Sequence, residues 1–174
     1  MDLEVELQKH IRDVPDFPKP GIVFKDLTPL LADGQALQLA VQAMAAPFRD
    51  ASIDYVVGTE ARGFILGAPV ALELGVGFVP VRKPGKLPHQ TISASYELEY
   101  GTDQVEMHAD ALHEGAQVLI VDDLIATGGT AVATVELVRR TGALVAGCSF
   151  LVELEFLAGR KALGVEPCYA VLRY

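Results

Sequence analysis

The sequence of 174 residues predicts one α/β domain, in which helices flank a mainly parallel, twisted sheet. Short apolar runs rich in Val and Ile recur along the chain without alternating polar residues, as in strands that are covered on both faces. Between these runs lie segments that are apolar on a helical period. Strand and helix alternate in this way in doubly wound α/β domains, where ligands bind beyond the carboxyl ends of the strands.

The strands are predicted at five apolar runs, which cover residues 53–58, 77–81, 118–121, 144–151 and 168–172. Two helices are predicted at residues 35–48 and 64–74. A third helix starts after Gly129, where apolar residues follow at helical spacing, and it ends before Gly142. Arg139 and Arg140 lie at the predicted C-terminal end of this helix, where positive charge suits the helix dipole.

Two segments interrupt the alternation of strands and helices. Residues 14–31 are rich in proline, whereas residues 83–108 begin as a loop rich in Pro, Gly and Lys and continue as two alternating, antiparallel-looking strands. Insertions into a compact α/β core often serve as lids or substrate hoods. We therefore expect an N-terminal hood at about residues 14–31 and a flexible loop at about residues 83–108, within a single domain of residues 1–174.

Charge and hydropathy exclude several classes of protein. The formal net charge of −9 opposes binding to nucleic acid, which depends on Lys and Arg neutralising phosphates. Residues 1–13 lack the basic start and apolar run of a secretory signal, and no stretch reaches the roughly 18 apolar residues of a membrane span. We therefore expect a cytoplasmic protein without a nucleic-acid or membrane partner.

The cysteines and histidines give no sign of a metal or redox site. Cys148 and Cys168 lie in apolar contexts without CxxC spacing, which favours two small core residues. The four histidines include no pair at helical spacing with a carboxylate partner, so a zinc site is not expected.

The stretch VLIVDDLIATGGT, residues 118–130, predicts a strand, an acidic turn, a glycine loop and a helix start. Backbone N–H groups at a helix start lack partners within the helix, and the dipole is positive there, so the loop can bind a phosphate monoester. The residues predicted to bind this phosphate are Ala126, Thr127, Gly128, Gly129 and Thr130. Neither the GxxxxGK[ST] spacing of nucleoside triphosphatases nor the GxGxxG spacing of dinucleotide-binding domains is present.

Asp122 and Asp123 must bind another part of the same ligand, because their charges would repel a phosphate. Carboxylates accept pairs of hydrogen bonds, as from the vicinal diol of a ribose, and they stabilise a ribose carbon that becomes cationic. The ligand predicted is a ribose 5-phosphate. The alternative is a strand that ends in solvent before a plain helix entry, which would explain either pair of residues alone but not the whole pattern.

VLIVDDLIATGGT resembles the phosphoribosyl pyrophosphate (PRPP) signature of the type I phosphoribosyltransferases. Further segments are similar to that family in its order, namely PDFPKPGIVFKDLTPLL, GTEARGFILG, VRKPGKLP, SYELEYG and SFLVELEFLAGRKAL. Of these, SYELEYG and FPKPGIVFKD narrow the resemblance to the adenine phosphoribosyltransferases. The resemblance implies the type I phosphoribosyltransferase fold, conversion of adenine and PRPP to AMP and pyrophosphate, and a homodimer. It also implies Mg²⁺ held mainly by substrate oxygens, since the sequence shows no dedicated cage.

A second anion site is predicted where GTEARGF follows an apolar strand and opens a helix. By resemblance this loop binds pyrophosphate through Glu60, Ala61, Arg62 and Gly63, with Arg62 supplying a guanidinium fork. The next strand is followed by a loop that is shaped by Pro and Gly and contains three cations. By resemblance these cations also bind pyrophosphate: Arg82, Lys83 and Lys86. The structural alternative for GTEARGF is a helix cap with an exposed arginine. The structural alternative for the three cations is a solvated charged face.

The general base is predicted in SYELEYG. Adenine loses a proton when its imidazole nitrogen attacks the anomeric carbon, so a carboxylate on a closing loop can accept it. The residues alone do not separate Glu97 from Glu99, but the resemblance assigns the role to Glu99, with Tyr100 beside it.

Adenine is predicted to bind beneath the hood, which offers Phe24 for stacking and the backbone groups of Val23 and Lys25. Many family members carry arginine in place of Lys25. Leu154 resembles the apolar wall that the family places against the base, although it also fits an ordinary core position. A transferase for xanthine or guanine and a PRPP-sensing transcription regulator on the same fold are the rival functions.

Overall fold

The structure is a computed structural model, which describes residues 3–98, 100–165 and 167–174. Its helices are α1 (Leu3–Gln8), α2 (Thr28–Ala32), α3 (Gly34–Ala45), α4 (Arg62–Leu74), α5 (Gly129–Arg140) and α6 (Gly159–Leu163). Its strands are β1 (Arg12–Pro15), β2 (Val23–Asp26), β3 (Tyr55–Thr59), β4 (Gly77–Val81), β5 (Thr91–Glu97), β6 (Thr102–His108), β7 (Gln117–Ile125), β8 (Leu144–Glu153) and β9 (Cys168–Arg173). Within the described ranges, no helix is long and apolar enough to cross a membrane.

Five parallel strands form the central sheet, in the order β4-β3-β7-β8-β9. Side chains alternate between its two faces along β7. Val118 and Ile120 pack into the core that α5 covers, whereas Leu119 and Val121 pack into the core beneath α3 and α4. Both faces are therefore buried, which explains the continuous apolar runs in the sequence. The predicted α/β class with a mainly parallel sheet is confirmed.

The central strand β7 differs from its prediction at the end that matters for function. The apolar run predicted a strand that stops at Val121, but β7 continues to Ile125 because β8 keeps pairing with it, from Asp122 opposite Phe150 to Ile125 opposite Glu153. The neighbour on the other side, β3, pairs with β7 only as far as Val121. The two aspartates therefore belong to a strand with one open edge, and the predicted acidic turn is wrong.

Two antiparallel strand pairs lie apart from the central sheet. The sequence predicts the pairing of β5 with β6, which forms a hairpin in residues 91–108. It does not predict the pairing of β1 with β2 in the N-terminal hood, where prolines and a glycine hide the strand pattern. The hood pair is closed by an ion pair in which Arg12 lies 2.7 Å from Asp26. Both pairs flank the carboxyl edge of the sheet.

The helices begin and end where local chemistry favours it. The side chain of Asp33 accepts hydrogen bonds from the N–H groups of Gln35 and Ala36 at the start of α3. Gly75, in the left-handed region with φ of 71°, ends α4. At the start of α5, Gly128 has a φ of 89°, which brings the chain from β7 into the helix within three residues.

Candidate active site

A cavity of about 660 Å³ opens at the carboxyl ends of β3 and β7. Residues from four segments line it: Thr59 to Arg62, Lys83, Tyr96 to Leu98, and Asp122 to Ala131. This is the edge of the sheet at which a doubly wound fold binds its ligands. The predicted sugar, phosphate and pyrophosphate residues therefore meet in one place, with Arg82, Lys86 and Gly63 outside the lining.

The two aspartates at the end of β7 have different surroundings. Asp122 accepts a hydrogen bond of 2.8 Å from the N–H of Asp123 through Oδ1. Asp123 is only 5% exposed, and its Oδ2 has no hydrogen-bond partner among the described residues. Arg62 Nε lies 2.8 Å from this oxygen, without the alignment of a hydrogen bond. The oxygen is therefore a buried acceptor that a ligand hydroxyl can satisfy.

Charge repulsion acts within this pair of carboxylates. Burial and the neighbouring Asp123 raise the pKa of the Asp122 carboxyl well above its usual value, and the Arg62 guanidinium opposes this shift only in part. Two adjacent carboxylates that share a poorly hydrated position favour a cationic partner. A ribose carbon that acquires positive charge in a transition state would meet this requirement.

The glycine loop between β7 and α5 is fixed by close backbone packing. A methyl group added at Gly128 would lie 2.8 Å from the carbonyl oxygen of Gly159, the first residue of α6. A methyl group added at Gly159 would in turn overlap the carbonyl oxygen of Ala126. The segment before α6 is also tied to β7, because the N–H of Leu154 donates to the carbonyl of Ile125 at 3.0 Å. The predicted phosphate loop therefore rests on a rigid backbone support.

The loop between β3 and α4 carries the predicted pyrophosphate residues. Its Glu60–Ala61 peptide bond is cis, and Ala61 and Arg62 are exposed. Gly63 is buried at the start of α4, where an added methyl group would lie 2.7 Å from Asp122 Oδ1. The start of α4 thus packs closely against the end of β7, and the small size of Gly63 permits it.

The carboxylate of Glu60 binds protein groups. It accepts a hydrogen bond of 2.6 Å from Arg82 Nε and one of 2.9 Å from the N–H of Lys83. Burial favours a higher pKa for Glu60, but these hydrogen bonds outweigh it and lower the pKa. Glu60 therefore braces the Arg82–Lys86 loop, while the Lys83 side chain alone among the three predicted cations lines the cavity.

The comparisons with known proteins agree with this geometry. Residues 30–164 match the phosphoribosyl transferase domain family. The adenine phosphoribosyltransferase of Desulfitobacterium hafniense is 57% identical over 170 residues, which cover 98% of both chains. That of Myxococcus xanthus is 56% identical over 172 residues, or 99% of this chain and 94% of the relative. The chain belongs to the adenine phosphoribosyltransferase family.

Solved structures of the same family share the whole fold. The crystal structure of the adenine phosphoribosyltransferase from Rhodothermus marinus matches with a TM-score of 0.93 and 55% identity, covering 99% of this chain and 98% of that one. The Saccharomyces cerevisiae enzyme, in complex with an imino-altritol bisphosphate and adenine, matches with a TM-score of 0.93 and 43% identity over 98% of both chains. The chain is accordingly a phosphoribosyltransferase, an enzyme of the glycosyltransferase type.

The residues that the adenine phosphoribosyltransferase resemblance gives to the base lie beside the cavity rather than in its lining. The Phe24 ring lies 5.8 Å from the Arg62 guanidinium carbon and packs edge-on against Phe17. Lys25 turns away, with its ammonium 2.6 Å from Asp13 and over the ring of Tyr174.

The remaining members of the base and catalytic sets are more dispersed. Val23 is exposed, Leu154 is half-buried beside the glycine loop, and Tyr100 is 85% exposed. Glu99, the predicted general base, lies outside the described residues.

Several residues of the site were not predicted from the sequence, among them Gly159 and Tyr96. Gly159 supports the glycine loop from a segment that the sequence gives no phosphate role, and the apolar residues before it, 156–158, carry no turn signal. Tyr96 lines the cavity two residues before Leu98. Tyr96 lies in SYELEYG, the segment predicted to hold the general base, but only the acidic residues of that segment and Tyr100 were considered for a role.

Proposed function

We propose that the chain transfers the 5-phosphoribosyl group of PRPP to adenine, giving AMP and pyrophosphate for purine salvage. The observation that carries this proposal is the buried Asp123 Oδ2, which pairs with Arg62 but accepts no hydrogen bond from the described residues, beside a glycine loop at a helix start. The Trypanosoma brucei member of the family, 25% identical to this chain, has been solved with AMP, pyrophosphate and ribose 5-phosphate. The cavity here has the chemistry for the same three ligands.

The sugar phosphate is proposed to lie along β7 and the glycine loop. Asp122 and Asp123 accept hydrogen bonds from the ribose diol. The phosphate-binding set surrounds the 5-phosphate with backbone N–H groups and two hydroxyls: Ala126, Thr127, Gly128, Gly129 and Thr130. The negative charges of the two aspartates thus face the sugar, and the positive end of the α5 dipole faces the phosphate of the same ligand.

Bond exchange takes place at the anomeric carbon of PRPP. The bond from this carbon to pyrophosphate breaks as the imidazole nitrogen of adenine forms the new bond, and positive charge develops on the sugar in between. Asp122 and Asp123 stabilise that charge. The proton released by adenine goes to Glu99, with Tyr100 beside it, an assignment that comes from the resemblance of SYELEYG.

Pyrophosphate is proposed to bind between the β3–α4 loop and the loop after β4. The backbone of Ala61 and Gly63 and the side chains of Arg62, Lys83 and Lys86 face or flank this space, while Glu60 and Arg82 hold the loops together. Arg62 would exchange its position next to Asp123 for pyrophosphate oxygens when PRPP binds.

Mg²⁺ is proposed to bind mainly through PRPP oxygens. The described part of the chain holds no group of three or more His, Cys, Asp or Glu side chains placed for a metal ion, whereas pyrophosphate and ribose hydroxyls offer the hard oxygens that Mg²⁺ prefers. When bound, the ion would neutralise charge on the leaving pyrophosphate.

Adenine is proposed to stack against Phe24 and to hydrogen-bond to the backbone of Val23 and Lys25, with Leu154 on the other side. The hood, about residues 14–31, and the flexible loop, about residues 83–108, would close on it from two directions within the single domain. The position of Phe24 next to Arg62 supports this placement, since Arg62 contacts Asp123.

A homodimer is proposed as the working assembly, and sedimentation velocity tests it. Exposed apolar side chains on α4, Ile65 and the 82% exposed Leu72, support a covered face there. The cytoplasmic location stays a prediction, which cell fractionation can check.

A direct assay tests the proposed reaction. The purified chain is incubated with PRPP, Mg²⁺ and equimolar adenine, guanine and xanthine, and the products are separated. AMP should dominate, and Glu99→Gln should abolish its formation. Preferential use of guanine or xanthine would favour the rival transferase. PRPP binding without any nucleotide product would favour a sensing role.

A further inference from the structure

Tyr96 on β5 contacts both predicted anion sites. Its hydroxyl oxygen accepts a hydrogen bond of 2.9 Å from Lys83 Nζ and donates one of 3.0 Å to Asp103 Oδ2. Its ring covers the first residue of α5, where a methyl group added at Gly129 would lie 3.1 Å from the ring carbon Cδ2. One half-buried side chain thus bridges the glycine loop and the loop after β4.

The contacts of Lys83 leave a defined part of its ammonium group for a ligand. An ammonium has three donors, and two of them are directed to Tyr96 and to Asp103, with which Lys83 also forms an ion pair. The backbone of Lys83 is fixed separately by its hydrogen bond to Glu60. A long, flexible side chain that lines the cavity is therefore held at both its ends.

We propose that Tyr96 is a positioning residue with two separable functions. Its hydroxyl directs the Lys83 ammonium toward pyrophosphate, and its ring holds the β5–β6 hairpin against the loop that binds the 5-phosphate. The assignment rests on the proposed function, because it takes pyrophosphate to lie beside Lys83.

The charge state of the network agrees with this assignment. Burial favours a lower pKa for the Lys83 ammonium, but the hydrogen bonds to Asp103 and Tyr96 outweigh it and raise the pKa. The hydrogen bond from Lys83 lowers the pKa of Asp103. Lys83 is therefore kept charged, as a group that binds an anion must be.

The two functions can be separated with two ligands. AMP carries the 5-phosphate but no pyrophosphate, so the Kd of AMP, measured by calorimetry, reports the ring contact. The KM of pyrophosphate in the reverse reaction with AMP reports the hydroxyl contact. The variants are Tyr96→Phe, which keeps the ring, Tyr96→Leu, which removes it, and Lys83→Ala. Tyr55→Phe is the matched control, because Tyr55 packs on His113 at the opposite end of β3.

Tyr96→Phe should raise the KM of pyrophosphate about fivefold and leave the Kd of AMP within about twofold, since the hydrogen bonds of the hydroxyl with Lys83 and with Asp103 are lost while the ring is kept. Tyr96→Leu should weaken both ligands, and Tyr55→Phe neither. Equal weakening of AMP and pyrophosphate by Tyr96→Phe, or no effect on either, would overturn the assignment.

Lys83→Ala separates this assignment from the proposed function. If Lys83→Ala raises the KM of pyrophosphate but Tyr96→Phe does not, the pyrophosphate site is supported and the role of Tyr96 is rejected. A normal KM for Lys83→Ala would reject both. Melting temperatures show whether each variant is folded.

Discussion

The two proposed anion sites of the cavity are built in different ways. The sugar-phosphate side consists of one continuous segment, β7 with its glycine loop and α5, and backbone packing against Gly159 supports it. The pyrophosphate side is assembled from three separated segments, which charged side chains hold together: Glu60 with Arg82, and Lys83 with Asp103.

The difference determines how each side responds to its ligand. The glycine loop presents N–H groups that have no competing partner in the helix, so a phosphate binds without breaking contacts. On the pyrophosphate side Arg62 already lies beside Asp123, and Lys83 is already paired. Pyrophosphate would therefore have to displace Arg62 from Asp123, whereas it could use the one donor of Lys83 that Tyr96 and Asp103 leave free. The competition at Arg62 would favour release of pyrophosphate as a product. The sugar-phosphate side is preformed, and the pyrophosphate side is exchangeable.

Asp122→Asn should have the largest effect, because it alters charge at the preformed side. We expect turnover to fall about 10²-fold, as for the loss of a preorganised electrostatic contact in other enzymes. Steady-state kinetics of AMP formation with varied PRPP measure this, and Asp110→Asn is an exposed control of the same chemistry. Unchanged turnover and PRPP affinity would show that the aspartates do not bind the ribose.

The same variant should be more stable than the wild type at pH 7. A carboxyl with a raised pKa in the folded state contributes stability that is fully present below its unfolded pKa and is lost as the pH rises through the folded pKa. Thermal unfolding from pH 4 to pH 8 should show a decline for the wild type that Asp122→Asn lacks.

Gly159→Ala should damage the sugar-phosphate side from behind. The added methyl group overlaps the carbonyl of Ala126, a backbone atom that cannot rotate away. We expect the Kd of AMP to rise about tenfold and the free energy of unfolding to fall by about 1–3 kcal/mol. Gly34→Ala is the control, since no atom lies within 4 Å of the added carbon there. Normal AMP binding by Gly159→Ala would mean that the loop does not depend on this support.

Glu60→Gln should affect the exchangeable side alone. Loss of the charge loosens the loop that carries Lys83, so the KM of PRPP should rise about threefold to fivefold while the Kd of AMP stays the same. The lowered pKa of Glu60 means that its contribution to stability is present above the unfolded pKa and is lost only as the pH falls through the folded value. An equal change in the affinity for AMP would contradict the separation of the two sides.

Lys25→Met should have the smallest effect. Its ammonium contacts Asp13 and Tyr174, so adenine recognition through the backbone should survive, with the KM of adenine changed less than about twofold. Phe24→Ala, which removes the stacking face, is the comparison variant and should raise that KM clearly. A large effect of Lys25→Met would place its side chain against the base.

The residues proposed to bind the sugar phosphate could be grouped from the sequence because they are contiguous. A strand, a carboxylate pair and a glycine loop occupy 13 consecutive positions, 118–130, so spacing alone orders them along one ligand. The predicted end of β7 was wrong because continued pairing with β8 determines where the strand ends. The apolar pattern within one strand contains no information about how far a neighbouring strand pairs with it.

The pyrophosphate side is harder to predict from the sequence, because its residues are not contiguous. The sequence shows the cations Arg82, Lys83 and Lys86 but not the groups that they contact. Lys83 pairs with Asp103 and Arg82 with Glu60, and each pair is separated by at least 20 positions in the sequence. Tyr96 and Gly159 act through such long-range contacts. Their residue types are compatible with many positions, so only the folded chain reveals what they touch.

The central place of β7 has a consequence for how long each part of the site keeps its shape. Amides in the middle of a sheet exchange with deuterated water only through rare, extensive openings, whereas a hairpin outside the sheet opens often by itself. The aspartates directly follow the part of β7 that β3 and β8 enclose and lie where β7 stays paired with β8, while Tyr96 belongs to a two-stranded pair. The ribose end of the cavity should therefore persist through many opening and closing events of its cover.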